Sequence, residues 1–277
     1  MNIAVIGLGL IGGSFCKAIS SKSGHCCFGM DTDKASIDAA LSDGVIKKSI
    51  TAGELFEMDM TIVCLHPYSA MEFIEENADK FRRGSIVIDS CGVKTEIVSR
   101  AQAVLAEKGV SFVGCHPMAG REFSGYAYSL NNLFERASFI LTPTEKTPES
   151  AVLAVKRLAE MTGFSNIVVT TPKEHDKIIA FTSQLAHIVS SAYIKSPTLE
   201  GFSGFSAGSF LDMTRVAKLN EDMWTSLFLL NREPLVEEIA TIIKKLDEYK
   251  SAIESNDSGE LKRLLKEGRI LKESIKS

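Results

Sequence analysis

Asn2-Ile3-Ala4-Val5-Ile6-Gly7-Leu8-Gly9-Leu10-Ile11-Gly12-Gly13-Ser14 opens the chain directly after Met1, and its reading decides the fold. The first five residues are mostly β-branched or small and apolar, which suits a strand buried on both faces. Glycines then follow at G-x-G-x-x-G spacing, and apolar periodicity over residues 14–20 predicts a helix immediately behind them. In that setting each glycine has its own task. Gly7 permits the tight turn, Gly9 lets backbone approach a pyrophosphate, and Gly12 lets helix and strand pack closely, while the helix N-terminus offers N–H groups to the anion. Gly7, Leu8, Gly9, Leu10, Ile11 and Gly12 are therefore read as a dinucleotide-binding loop, against the alternative of a glycine turn with no ligand. Asp31 ends the next strand-like run at about the 20-residue interval of the fingerprint. A carboxylate there accepts ribose hydroxyls and repels a 2′-phosphate, which favours NAD over NADP, although Lys34 leaves NADP open.

Outward from this loop, short β-branched runs alternate with longer amphipathic ones. Strands are predicted over 2–6, 26–30, 60–65, 85–89, 111–115, 138–142 and 167–170, with helical spacing over 36–41, 70–81 and 96–108. The alternation predicts an α/β domain of Rossmann type, a doubly wound and mainly parallel sheet occupying residues 1–170. After Thr171-Pro172 the texture becomes helical nearly to the end, so residues 171–277 are read as an all-helical C-terminal domain. A long helix is expected from Pro172 through Ile178, Phe181, Leu185 and Val189, followed by helices over 210–219, 222–230, 233–253 and 259–275. The Ile239/Ile242/Ile243/Leu246 stripe asks for a partner helix, which suggests a homodimer through this domain.

Composition narrows the classes. Lys and Arg number 31 against 35 Asp and Glu, a net charge of −4, so no basic field exists to hold a nucleic-acid backbone. No apolar stretch approaches the roughly 20 residues of a membrane span, and Met1-Asn2 running straight into a strand leaves no room for a leader, so a cytoplasmic protein is expected. The six cysteines form no C-x-x-C pair, which fits reduced thiols. Nothing has metal-ligand spacing, and no metal is expected.

Open α/β sheets bind ligands at the carboxyl ends of their strands. Three loops qualify: Leu65-His66-Pro67, Asp89-Ser90-Cys91-Gly92-Val93-Lys94, and Cys115-His116-Pro117-Met118-Ala119-Gly120-Arg121-Glu122. His116 leaves a predicted strand on a stiff X-Pro segment, and a neutral imidazole there can take a proton from a substrate hydroxyl while hydride leaves the same carbon. The bland alternative is a histidine that caps the strand end. His66 is placed beside the nicotinamide side of the cofactor, with a plain loop role equally open. His175 and His187, on the first long helix after the sheet, read by themselves as core histidines, His25 as a surface residue, and Trp224 as core or subunit interface.

The segments 5–14, 89–94 and 114–120, the Ser183/His187 pair, Asp212-Met213-Thr214-Arg215-Val216-Ala217 and Trp224 together resemble the prephenate/arogenate dehydrogenases of tyrosine biosynthesis, over essentially the whole chain. The resemblance implies NAD-dependent oxidative decarboxylation of prephenate to 4-hydroxyphenylpyruvate, with arogenate as the alternative substrate. It implies that His116 is the catalytic histidine and that Arg215 holds a substrate carboxylate. It further implies that Ser183 and His187 line the substrate pocket and that Glu122 lies near its entrance. The chain departs from the pattern at Gly92, where many members carry a serine that orients substrate and histidine, and at Phe123, where a lysine is common. Ser90, Cys91 or a water are the candidates to replace that serine. A 3-hydroxyacid dehydrogenase would want a catalytic lysine on the first long helix, for which Lys177 and Lys195 lack the surrounding motif. An NAD-sensing regulator would want a recognition module that this sequence does not display.

Overall fold

Ile3 and Val5 pack into one apolar core while Ala4 and Ile6 pack into another, and all four are buried. Successive strand residues point to opposite faces, so β1 (Asn2–Ile6) lies inside a sheet covered on both sides. The computed structural model describes residues 1–121, 123–201 and 204–275. In it, β1 joins β2 (Cys26–Met30), β3 (Met60–Val63), β4 (Ile86–Asp89), β5 (Ser111–Pro117), β6 (Ser138–Thr142) and β7 (Asn166–Val169) in a seven-stranded sheet of order β2-β1-β3-β4-β5-β6-β7. Every neighbouring pair is parallel except β5 with β6. The chain reverses its direction of winding between β1 and β3, which sets a crevice at their carboxyl ends.

Helix α1 (Leu10–Lys22) and α5 (Glu149–Thr162) cover the Ile3/Val5 face through Phe15, Ile19, Val155 and Leu158, with α2 (Lys34–Ser42) adding Ala40. Phe134, Phe139 and Phe164 stack there, with successive ring centroids 4.6 Å apart. On the opposite face α3 (Pro67–Glu76) and α4 (Thr95–Leu105) contribute Met71, Ile74, Ile97 and Val98. The doubly wound, mainly parallel architecture is thus as the alternation predicts. One strand differs in a way that matters. β5 runs on to Pro117 instead of stopping at residue 115, because its last four residues, Gly114 to Pro117, pair with β6 in antiparallel register. His116 therefore lies within a strand, opposite Ile140, and not in the loop beyond it.

The chain divides into two compact units, Met1–Ile179 with Leu219–Asn231, and Ala180–Lys218 with Arg232–Ser277. The first thus keeps α6 (Pro172–Ile179) and takes back α9 (Glu221–Leu230), beyond the expected division at 171. Polar bonds explain why. The Asp176 carboxylate accepts the N–H groups of Lys94 and Thr95 at the start of α4, each at 2.7 Å, and Asn231 Nδ2 donates to the Asp176 carbonyl at 2.8 Å. Helical periodicity shows that a face is apolar, not which body it packs on.

In the second unit the continuous helix expected past residue 179 is interrupted by a π-helical segment, Ala180–Leu185, before α7 (Ala186–Tyr193). Such wide turns recur at functional sites, and residue spacing hardly registers one extra residue in a turn. Helix α8 (Gly208–Thr214) is shorter than expected, its last turn closed by Thr214 Oγ1 donating to the Phe210 carbonyl. Helices α10 (Arg232–Glu254) and α11 (Ser258–Ser274) pack on each other and leave Ile243, Leu246, Ile253, Leu265 and Leu271 exposed. No helix among the described residues is long and apolar enough to cross a membrane.

Candidate active site

The glycine loop has the geometry its spacing demands. Gly7 adopts φ +87°, and a Cβ built on it would stand 2.5 Å from the Cys64 carbonyl oxygen. A Cβ on Gly12 would stand 1.8 Å from the Gly7 carbonyl oxygen, so helix and loop meet there backbone to backbone. Gly9, the residue before α1, has open space where its Cβ would be, and that opening is what a pyrophosphate needs at a helix N-terminus. Leu8 is buried, with Leu10 and Ile11 only partly so. Asp31, at the end of β2, accepts the Leu8 N–H on one carboxylate oxygen and the Asp33 N–H at 2.8 Å on the other. The carboxylate predicted for the ribose is thus tied to the loop predicted for the phosphates. These residues fit a dinucleotide. His66 is exposed at the N-terminus of α3, next to Pro67, in the loop whose Cys64 crowds Gly7.

His116 is half-buried at the carboxyl end of β5. Its backbone is fixed by a buried ion pair one residue away. Lys94 and Asp89, 0% and 1% exposed, pair through Nζ and Oδ2. Lys94 Nζ also donates to the Cys115 carbonyl at 2.6 Å, and Asp89 accepts the Cys115 N–H at 3.0 Å and the Cys91 N–H at 2.9 Å. The imidazole Nδ1 lies 2.9 Å from Nε2 of His175. Burial pushes the His116 imidazole well below the ordinary 6.5, and His175 and Lys94 act in the same direction. A neutral ring is a proton acceptor at neutral pH. Gly92 stands beside it: a Cβ there would lie 3.8 Å from His116 Nε2 and 3.4 Å from Leu227 Cδ2. The position where the resemblance leads one to expect a serine is thus next to the ring nitrogen that does not face His175.

In the second unit His187 and Arg215 come together. His187 Nδ1 donates to the Val216 carbonyl at 3.2 Å. Burial holds this imidazole below its ordinary value, the Val216 bond opposes that, and the Arg215 charge adds to it. Arg215 is exposed at the end of α8, and Ser183 lies in the π-helical segment one turn before His187. Glu122 lies outside the described residues.

A sequence model described as "Prephenate dehydrogenase, nucleotide-binding domain" matches residues 15–175, and one described as "Prephenate dehydrogenase, dimerization domain" matches residues 171–267. The prephenate dehydrogenase of Bacillus subtilis is 32% identical over 99% of this chain and 76% of its own length. The chain belongs to the prephenate dehydrogenase family. It is an oxidoreductase of that family, and its glycine loop fits the nicotinamide dinucleotide such an enzyme uses. The crystal structure of A. aeolicus prephenate dehydrogenase in complex with hydroxyphenyl propionate and NAD+ aligns with a TM-score of 0.89 at 30% identity, covering 100% of this chain and 98% of that one. The Synechocystis arogenate dehydrogenase structure aligns with a TM-score of 0.86 at 26% identity, covering 99% of both chains.

Three residues escape sequence reasoning. His175 reads as a core histidine and Asp176 carries no motif, yet both are within the first unit and His175 touches His116. Lys94 ends the Asp89–Lys94 loop, where spacing assigns it no role. Its one sequence signal is a lysine set between Val93 and Thr95, whose charge needs a partner.

Proposed function

We propose that this prephenate dehydrogenase family member oxidatively decarboxylates prephenate to 4-hydroxyphenylpyruvate in the cytoplasm, with NAD+ as cofactor. The observation that carries the reading is His116, a neutral imidazole held at the end of β5 with one nitrogen engaged and the other turned toward Gly92. NAD+, when bound, supplies the hydride acceptor. His116 Nε2 takes the proton of the ring hydroxyl as the carbon that bears it gives up hydride. The ring carboxylate then leaves as CO2 with its bonding electrons entering the ring, and the resulting phenolate oxygen recovers the proton from the imidazolium. No net proton is consumed. The experiment is an initial-rate assay of reduced nicotinamide with NAD+ and either prephenate or arogenate. Prephenate turnover with one CO2 released per reduced nicotinamide supports the reading, and turnover of arogenate alone would replace it.

Arg215 supplies the guanidinium fork for a substrate carboxylate, with Ser183 and His187 on the same unit. Because that contact is made in both ground and transition states, Arg215→Gln should raise the KM for prephenate by ~10- to 100-fold and leave kcat within a few-fold. A loss confined to kcat would assign Arg215 a different task. At the cofactor end, Gly7 to Gly12 hold the pyrophosphate, Asp31 the adenosine ribose, and His66 lies against the nicotinamide side. NAD+ should therefore give a kcat/KM at least ~10-fold above that of NADP+, and Asp31→Ala should narrow the gap mainly by lowering the value for NAD+. Equal use of both cofactors by the parent enzyme would remove that role. Exposed Ile243, Leu246, Ile253 and Leu265 support assembly as a homodimer through the helical unit, which the name of the second matching domain also suggests.

A further inference from the structure

Behind His116 stands a line of hydrogen bonds. His116 Nδ1 lies 2.9 Å from His175 Nε2, and His175 Nδ1 lies 2.8 Å from Asp176 Oδ1. The carboxylate at the end accepts two more bonds, the Lys94 N–H on Oδ1 and the Thr95 N–H on Oδ2, each at 2.7 Å, and Asn231 Nδ2 donates to the backbone carbonyl of the same residue at 2.8 Å. His175 and Asp176 are buried.

The direction of each proton follows from the chemistry of the partners. A carboxylate that already takes two backbone N–H groups at a helix start is ionised and can only accept. His175 Nδ1 therefore carries the hydrogen of the His175–Asp176 bond. A neutral His175 then has a bare lone pair on Nε2, so the hydrogen between the two rings belongs to His116 Nδ1. That leaves the lone pair of His116 on Nε2, the nitrogen beside Gly92. We propose that His175 and Asp176 are positioning residues which lock His116 in its Nδ1–H tautomer and orient Nε2 as the proton acceptor. The inference rests on the reading of His116 as the base. Its ground is the geometry, and the titration behaviour agrees with it. Burial holds His175 below its ordinary 6.5, and in Asp176 the bonds from His175 and Thr95 outweigh burial and keep the carboxyl below its ordinary 3.8. The other charges near the line are the paired Lys94 and Asp89: Lys94 lowers both imidazoles, and Asp89 opposes it at His175. When His116 takes a proton, the positive charge faces the lone pair of His175 and, behind it, the Asp176 carboxylate, with no cation brought against it by the relay.

The test reads tautomer and rate together. Nitrogen-15 NMR of protein labelled in its histidines, with His116 assigned by loss of its signals in His116→Gln, should show Nδ1 protonated and Nε2 bare in the parent enzyme. In His175→Phe that preference should disappear and kcat should fall by ~10²–10³, with KM for both substrates within about 3-fold. His175→Gln offers an amide oxygen near the position of Nε2 and should restore the Nδ1–H tautomer and part of kcat. Protonated Nε2 in the parent enzyme overturns the proposal whether or not the phenylalanine variant folds, and so does a kcat for folded His175→Phe within about 2-fold of the parent. If His116→Gln keeps a near-normal kcat, the underlying reading of the base fails instead. If His116→Gln is inactive while His175→Phe is fully active, the base stands and the relay falls.

Discussion

His116→Gln should lower kcat for prephenate by ~10²–10⁴ while changing KM by no more than a few-fold. Glutamine can place an amide near the position of Nε2 and hydrogen-bond the ring hydroxyl, so substrate binding survives. It has no lone pair basic enough to take the proton, so the step in which the O–H bond breaks loses its acceptor. The half-buried ring is opposed on its Nδ1 side by His175 and is held on a strand, with Ile140 across from it, so the substitution leaves the scaffold in place. Steady-state kinetics with both substrates saturating in turn check this. A variant with near-normal kcat and raised KM would make His116 a binding residue only.

The second large effect is on stability. Lys94→Met should destabilise the protein by ~3–5 kcal/mol, because it leaves the Asp89 carboxylate buried without its cation. For a body of this size that corresponds to a fall in Tm of roughly 10 °C, measurable by calorimetry or denaturant unfolding. The double variant Lys94→Met/Asp89→Leu should recover only part of the loss. Its apolar pair removes the orphaned charge, but the Cys91 and Cys115 N–H groups that Asp89 accepts are then left without partners. A single Lys94→Met variant as stable as the parent would mean that Asp89 is neutral or finds another donor.

Much of this molecule is legible along the chain, for reasons that differ from element to element. β1 and the loop behind it can be read because burial on both faces and backbone contact at Gly7 and Gly12 admit few residue types. The order of the cofactor-binding parts follows from the same local constraints. The extension of β5 to Pro117 is invisible locally, since it exists only because β6 comes alongside in antiparallel register. The assignment of α6 and α9 to the first unit depends on Asp176, Asn231 and the start of α4, whose residues are far apart in sequence. For the same reason His175 looks like any core histidine until its Nε2 is seen against His116. Catalytic residues announce themselves by type and motif, whereas the residues that orient them are chosen by distance.

The measurement that bears most directly on the account is the pH dependence of kcat/KM for prephenate in the parent enzyme, which reports the base in its free state. Initial rates would be taken from about pH 8 to about pH 5, the range in which an ordinary histidine titrates. His116 must be neutral to accept a proton, and burial favours the neutral form, so activity is present above its folded-state pKa and lost as pH falls through it. The account predicts a level profile through the ordinary 6.5 with a decline that begins well below it, and a proportionate loss of that decline in His116→Gln. A decline centred at or above 6.5, or the same acidic limb in the glutamine variant, would contradict the assignment of a neutral, half-buried His116 as the proton acceptor.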